Sequence, residues 1–502
     1  VFRASYEVEV RRDGRWVLEA AVPGEAAAAA LADGLAAGDT SVTAVRVVRL
    51  KTGITGREYA SVVSEREIDR PPPPTNVARG VDRADRCDTA ADLYRIEARL
   101  AAGRAMRAWL DRQGLTPMEL LHSGRDLKRA MDADQLVPGA VFRVAKIQAE
   151  AAGDDAAVRR RHLDGLIREA ADRAREADAR RRLPILEQTT LAALIAGFPD
   201  LPADQAADPT ADAVFWPRVV LARDLTGRRS LTGKLERLLD LATGALAETA
   251  AAGRREAGRI AVLVDPFLAD CLAAAEPVQD LLGPQPDLAG ALVLLLDLIE
   301  GRCAAPPTAT AERVTALAAA ADLPDVRATL LDRVRRSLAG ETPLARDSRA
   351  ADRALGSLTG RLVRPGGMVG GPAIAAALVD RAQRGLASGG AGGRVRAIQA
   401  AAGCCPTPWQ EIVFLIALAH EAAALPAGSA ALATETVGGL IGETLSRART
   451  ADDLWRALPP ADRQGLGLDV LAAALAGAPL EESAKKLATA QLQRLSAAAA
   501  VA

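Results

Sequence analysis

From Ser5 to Arg11 apolar and charged residues alternate, with Tyr6, Val8 and Val10 on one side and Glu7, Glu9 and Arg11 on the other. A period of two predicts a half-buried strand. Asp13-Gly14 then accepts the positive φ of a tight hairpin turn, and Trp16 and Leu18 open a returning strand that Pro23-Gly24 ends. Glu25 to Ala37 reads as a short alanine-rich helix. Val42 to Leu50 reads as a third strand, followed by a turn over Lys51 to Thr55 and a last strand near Glu58 to Val63. The order strand, strand, helix, strand, strand predicts a small antiparallel sheet with one helix on its face. Four prolines, Pro71 to Pro74, favour polyproline II and predict a semi-rigid spacer.

Beyond Thr89 the period changes to that of a helix. Leu93, Ile96, Leu100 and Met106 recur at helical spacing up to Trp109 and Leu110, and Gly114 suits a left-handed helix end. Thr116-Pro117-Met118-Glu119 is a capping box with proline at the first helical position, and Thr407-Pro408-Trp409-Gln410 repeats the device. The apolar runs Leu288 to Leu296 and Ile412 to Ala419 fall short of the ~20 residues that span a bilayer and read as buried helix segments. Glu481 to Ala499 predicts a final helix. No fixed-period repeat is visible, so a regular solenoid is not expected.

The expected fold is therefore mainly α, a small N-terminal α/β (ββαββ) module followed by a multi-unit, irregular helical array. Proline- and glycine-rich punctuation places the parts at 1–70 for the module, 71–87 for the proline-containing linker, and 88–185, 186–303, 304–405 and 406–502 for helical units.

Composition sharpens this picture. Of 502 residues 49% are hydrophobic, 25% charged and only 3% aromatic, with much of the apolar share alanine. Alanine is the best helix former, and so few aromatics argue against a large β-sandwich or an aromatic-lined pocket. The 63 Lys and Arg balance 64 Asp and Glu, which removes the electrostatic reason to expect a nucleic-acid binder. Cys87, Cys271, Cys303, Cys404 and Cys405 form no CxxC pair and suit a reducing compartment; the vicinal Cys404 and Cys405 would be a redox switch or half a metal site only against the usual geometry. Val1 to Val10 carry charge where a signal peptide needs an apolar run, so a cytoplasmic chain is expected. The alanine- and arginine-rich, lysine-poor usage resembles that of a high-GC bacterium.

Candidate chemistry is sparse. Gly227 to Leu235 resembles a phosphate loop but has five residues between its glycines and a leucine after Lys234 where a magnesium-binding hydroxyl is needed. A better anion site is the 361–372 loop, in which Arg361 and Arg364 would flank the backbone N–H groups of Gly366, Gly367, Gly370 and Gly371 at the start of a helix. The stretch 154–182 holds the triplets Arg159-Arg160-Arg161 and Arg180-Arg181-Arg182. Its spacing also predicts i,i+4 ion pairs from Asp164, Glu169, Glu176 and Asp178 to Arg168, Arg173, Arg180 and Arg182. His122, His162 and His420 are far apart, and no catalytic motif, metal-ligand pattern or cofactor signature appears.

The reading that follows is a noncatalytic scaffold, adaptor or regulatory protein acting through protein–protein contacts of the module and the helical surfaces, with a protein partner or self-association. The alternative is a phosphate- or nucleotide-responsive regulator or enzyme using the 361–372 loop. A third is nucleic-acid binding through the arginine-rich helix 154–182.

Overall fold

The computed structural model describes residues 4–12, 15–38, 44–52, 58–68, 80–204, 206–249, 253–385, 391–423 and 427–501. The fold is mainly α. A four-stranded antiparallel sheet at the N-terminus precedes a helical array, with twenty-two α-helices among the described residues. The chain divides into two compact units, Val1–Asn76 and Val77–Ala502.

In the first unit β1 (Ala4–Arg12), β2 (Arg15–Val22), β3 (Ala44–Thr52) and β4 (Glu58–Glu67) lie in the order β2-β1-β3-β4, and a helix, Glu25–Gly38, packs on the sheet. The alternation of β1 decides which face is covered: Tyr6, Val8 and Val10 join Val45 and Val47 and the helix residues Ala28 and Ala32 in one small core. The opposite face carries Glu9, ion-paired with Arg46, and Arg46 lies 4.4 Å from the Trp16 ring. Both edge strands are bulged. Glu19 on β2 and Val63 on β4 are each the extra residue in an otherwise continuous register. The turns expected at Asp13-Gly14 and Lys51 to Thr55, and the Pro71 to Pro74 spacer, lie wholly or largely outside the described residues.

Residues 80–87, which fall in the stretch expected as linker, pack on the helical body. Val81 and Cys87 are buried, Asp82 pairs with Arg335, and Arg83 pairs with Glu421. One apolar core then runs from Tyr94 to Leu495 through all four stretches expected as helical units. At its centre is the Arg254–Leu272 helix, buried at every position from Arg259 to Leu272. No helix among the described residues is long and apolar enough to cross a membrane.

The helix punctuation has physical counterparts. Thr116 caps the Pro117–His122 helix by accepting from the Glu119 N–H, while the Glu119 carboxylate accepts from the Thr116 N–H at 2.9 Å. Gly114, at φ +60°, ends the Arg107–Gln113 helix. Thr407 and Gln410 make the second box, and the Gln410 amide also donates to the Val363 carbonyl at 2.6 Å.

Candidate functional site

The densest cluster of ionisable groups lies around the Arg254–Leu272 helix. Pro266 interrupts its hydrogen-bond ladder, since proline has no N–H to offer the carbonyl four residues earlier. That carbonyl belongs to Val262, and it accepts instead from Nε and Nη2 of Arg218, at 3.2 and 2.7 Å. Arg218 comes from the Asp212–Leu225 helix, is wholly buried, and is pushed down to about 10 by that burial and by the neighbouring Arg99 charge.

Two carboxylates of the same helix cap other helices. Asp265 accepts from the N–H groups of Asp325 and Val326, both at 2.9 Å, at the start of the Pro324–Ala339 helix, whose own N-cap position holds a leucine. Asp270 accepts from Met118 N–H at 2.7 Å, at the start of the Pro117–His122 helix. Arg99, from the Ile96–Ala105 helix, lies between them. Its guanidinium meets the Asp325 carboxylate at 2.5 Å, the Pro266 carbonyl at 3.1 Å and Asp270 at 3.4 Å, with the side chain at 0% exposure. Burial pushes the carboxyls up, Asp265 to about 7 and Asp270 to about 6.

A second buried pair adjoins the first. Glu119 and Lys234, each 1% exposed, meet at 2.5 Å. Lys234 is the lysine of the phosphate-loop-like segment, so its ammonium is engaged inside the core, and Ser230 of that segment caps the Leu231–Glu248 helix. Next to Glu119, the His122 ring stacks on Phe215 with centroids 4.9 Å apart and meets Tyr94 edge-on at 5.5 Å. Its Nδ1 lies 2.8 Å from the Met118 carbonyl and its Nε2 has no hydrogen-bond partner. Burial pushes this imidazole down to about 3, so it is neutral at pH 7, with Nδ1–H donating and the lone pair on Nε2. Glu119 and His122 border a polar cleft of about 500 Å³ shared with Ser123, Asp126, Asp178 and Arg223.

Compared with known protein families, curated proteins and solved structures, the chain matches none.

The 361–372 loop forms a two-stranded hairpin, β5 (Val363–Arg364) with β6 (Gly367–Met368), placing Gly366 in its turn. Trp409 Nε1 donates to the Pro365 carbonyl at 2.8 Å, which fixes the turn to the Pro408–Ala423 helix. Arg361 meets Asp297 at 2.7 Å and Glu300 at 2.9 Å, and Arg364 also pairs with Glu300. The two cations that a bound anion would need therefore face two carboxylates. Gly370 and Gly371, at φ +75° and +71°, precede the Pro372–Gly385 helix. Gly370 borders a different cleft, of about 310 Å³, whose walls carry Arg83, Arg104 and Arg335 together with Asp85, Glu97 and Asp332, the last paired with both Arg104 and Arg335.

On the arginine-rich helix, Ala156–Ala179, Arg159 is buried and donates to Gln148 at 2.7 Å and Asp88 at 2.9 Å. Arg173 pairs with Glu176 and Asp212 and lies 4.5 Å from the Phe215 ring, while Arg180 lies 4.2 Å from the Trp216 ring. The ion pairs within this helix are Arg160–Asp164, Arg173–Glu176 and Arg175–Asp172, a different set from that expected at i,i+4 spacing. Asp178 instead accepts from Arg125 N–H at 2.6 Å. His420 is exposed, and its neighbour Glu421 takes Arg83. Cys404 and Cys405 are free thiols, both pushed up by burial. Among the described residues no group of three or more His, Cys, Asp or Glu is placed to hold a metal ion.

Arg99, Asp265, Asp270 and Arg218 were not singled out by sequence pattern. A signal existed for two of them: Asp265 and Asp270 stand in the run Ile260 to Leu272, which is otherwise uncharged. Charges are almost never fully buried unless paired, so such a run implies partners elsewhere in the chain.

Proposed function

We propose that this chain is a noncatalytic scaffold, adaptor or regulatory protein that works through protein–protein contacts, with the sheet module as its docking part. The observation that carries this reading is where apolar surface remains open. Ten large apolar side chains are exposed among the described residues, and four of them, Val17, Leu18, Val62 and Val63, belong to β2 and β4 of the small first unit. Exposed apolar side chains can mark interaction sites, and these four form two pairs, one on each edge strand of the sheet. The bulges at Glu19 and Val63 disfavour addition of a further strand at either edge, which leaves the sheet face as the contact. Leu18 lies opposite Glu9 and Val62 opposite Val48, so both belong to the face away from the helix.

The buried ionisable groups support the same reading from the other side. Lys234, Glu119, Arg99, Asp265, Asp270 and Arg218 each hold a structural contact between helices. The test is affinity capture with the full chain and with a Leu18→Lys, Val62→Lys double variant. Loss of the same partners, or of self-association, on substitution is the expected result. An unchanged partner set in a folded variant sinks the reading.

A second reading, a phosphate- or nucleotide-responsive site at the glycine loop, is favoured by one observation, the bordering of Gly370 on the cleft with Arg83, Arg104 and Arg335, although each of these arginines already pairs with a carboxylate. Inorganic phosphate or ATP should then raise the melting temperature of the full chain and fail to raise that of Arg104→Ala. No shift with either ligand removes its basis.

A further inference from the structure

Two smaller apolar clusters of the helical body, one around Trp109, Leu110 and Leu127 and one around Cys87, Val141 and Leu163, are separated by a cavity. Its volume is about 130 Å³ and its walls include Leu93, Leu120, Leu127, Val141, Leu163 and Ile167. The void has a sequence cause. Six of its twenty-one lining residues are alanine, so helices that approach on small side chains leave the space between them unfilled. A dry apolar cavity of about 150 Å³ holds benzene, so this one has the size of a single ring or a short chain.

The surface presented to the cavity is apolar. Gln148 borders the cavity with both ends of its amide used, its oxygen by Arg159 Nε and its nitrogen by the Asp85 carbonyl. Arg99 also borders it, at 0% side-chain exposure, and its Nε–H has no acceptor although both its Nη atoms do. With no exposed surface even toward the cavity, that N–H is sealed behind the apolar lining and offers a ligand no donor. A carboxylate would find no partner there, because the Gln148 amide is engaged at both ends and Arg99 is closed off, and its desolvation would go uncompensated.

We infer that this cavity is a binding site for a small neutral apolar ligand, one ring or a short chain in size, held among the leucines and valines of its walls. The inference stands apart from the sheet face of the first unit and involves none of its residues.

The test uses the full chain and three probes of matched size: anisole, ethylbenzene and hexanoate. Binding is read by saturation-transfer NMR and titration. Both aromatic probes should bind, ethylbenzene at least as tightly as anisole, which is the more polar. Hexanoate should not bind. Ala140→Leu and Val144→Phe each fill the cavity, and each should weaken anisole binding at least about tenfold while leaving the melting temperature unchanged or higher. Several outcomes overturn the proposal. Absent anisole binding does so, as does binding that neither filling variant alters, or hexanoate binding as tight as anisole. A fall of several degrees in the melting temperature of both variants, which overpacking of a filled core produces, excludes the void itself. Anisole binding clearly tighter than ethylbenzene would show that a donor reaches the ligand and overturn the apolar character assigned to the site.

Discussion

Arg218 stands in for an N–H that Pro266 cannot supply: its guanidinium donates twice to the Val262 carbonyl, the one the proline leaves without a helical partner. Each residue makes sense of the other. A buried arginine without a carboxylate at ion-pair distance is costly, and a proline inside a wholly buried helix leaves a carbonyl without its donor.

This pairing predicts a compensating double change. Arg218→Met should destabilise the full chain by about 1–3 kcal/mol, because Val262 loses its donors. Pro266→Ala restores the backbone N–H, so the Arg218→Met, Pro266→Ala pair should recover most of the loss. Urea denaturation of the two single variants and the double variant measures the coupling. Strictly additive losses would show that the two residues act independently.

Glu119 and Lys234 predict a similar asymmetry. Lys234→Ala leaves a buried carboxylate without its cation and should cost about 3–5 kcal/mol. Changing both partners, with Glu119→Gln and Lys234→Met, keeps an acceptor for the Thr116 N–H and should cost much less than Lys234→Ala. The readout is the urea midpoint of each variant.

His122 gives stability a dependence on pH. Its folded value of about 3 lies below the ordinary 6.5, so between these values the folded chain binds fewer protons than the unfolded one. Its contribution is complete above pH 6.5 and is lost as pH falls toward 3, at about 1.4 kcal/mol per pH unit. His122→Phe removes this loss. The stability difference between native chain and variant should therefore move in the variant's favour by that amount per unit from pH 6.5 to 4.5, and a constant difference would contradict it.

Asp265 and Asp270 act in the opposite direction. Their raised folded values mean that stability is fully present below about pH 4 and is lost as pH rises through about 6 to 7. Arg99 holds these rises in check. Arg99→Met should cost about 3–5 kcal/mol at pH 7, with a deficit that shrinks as pH is lowered toward 4 and the carboxyls become neutral. Thermal unfolding from pH 4.5 to 7.5 tests the trend.

Gly114 shows how much of the fold was legible. Its left-handed role follows from its place after an apolar period, and the backbone indeed takes φ +60°. Gly114→Ala should destabilise the chain by more than about 1 kcal/mol, since the new Cβ also meets the Arg229 carbonyl. Measured melting of that variant decides it. The carbonyl of Arg229, 115 residues away, was invisible in the sequence.

The same division holds elsewhere. The ββαββ order, the Thr116 and Thr407 capping boxes and the short apolar helices are set by neighbours a few residues apart, and periodicity and turn chemistry report them directly. That Glu119 of the first box also neutralises Lys234 depends on two helices meeting in space. The 361–372 loop illustrates the converse: its glycines and arginines were visible, but Asp297 and Glu300, which engage Arg361 and Arg364, come from the end of another helix more than sixty residues earlier. Local sequence names the cation and leaves its counter-ion unnamed.

The carboxylates of the Arg254–Leu272 helix have a consequence for synthesis. A ribosome that has released residues 80–179 has delivered Arg99 and the start of the Pro117–His122 helix, but neither Asp265 nor Asp270. Until the chain has grown by about another hundred residues, Arg99 lacks Asp270 and the Met118 N–H lacks its acceptor, and the nearer counter-charge of Arg99, Asp325, follows later still. Co-translational packing of the early helices thus waits on a later one, which gives that helix the role of a keystone in the order of assembly. A chain broken between 179 and 254 would hold an arginine built for an interior that the fragment does not contain.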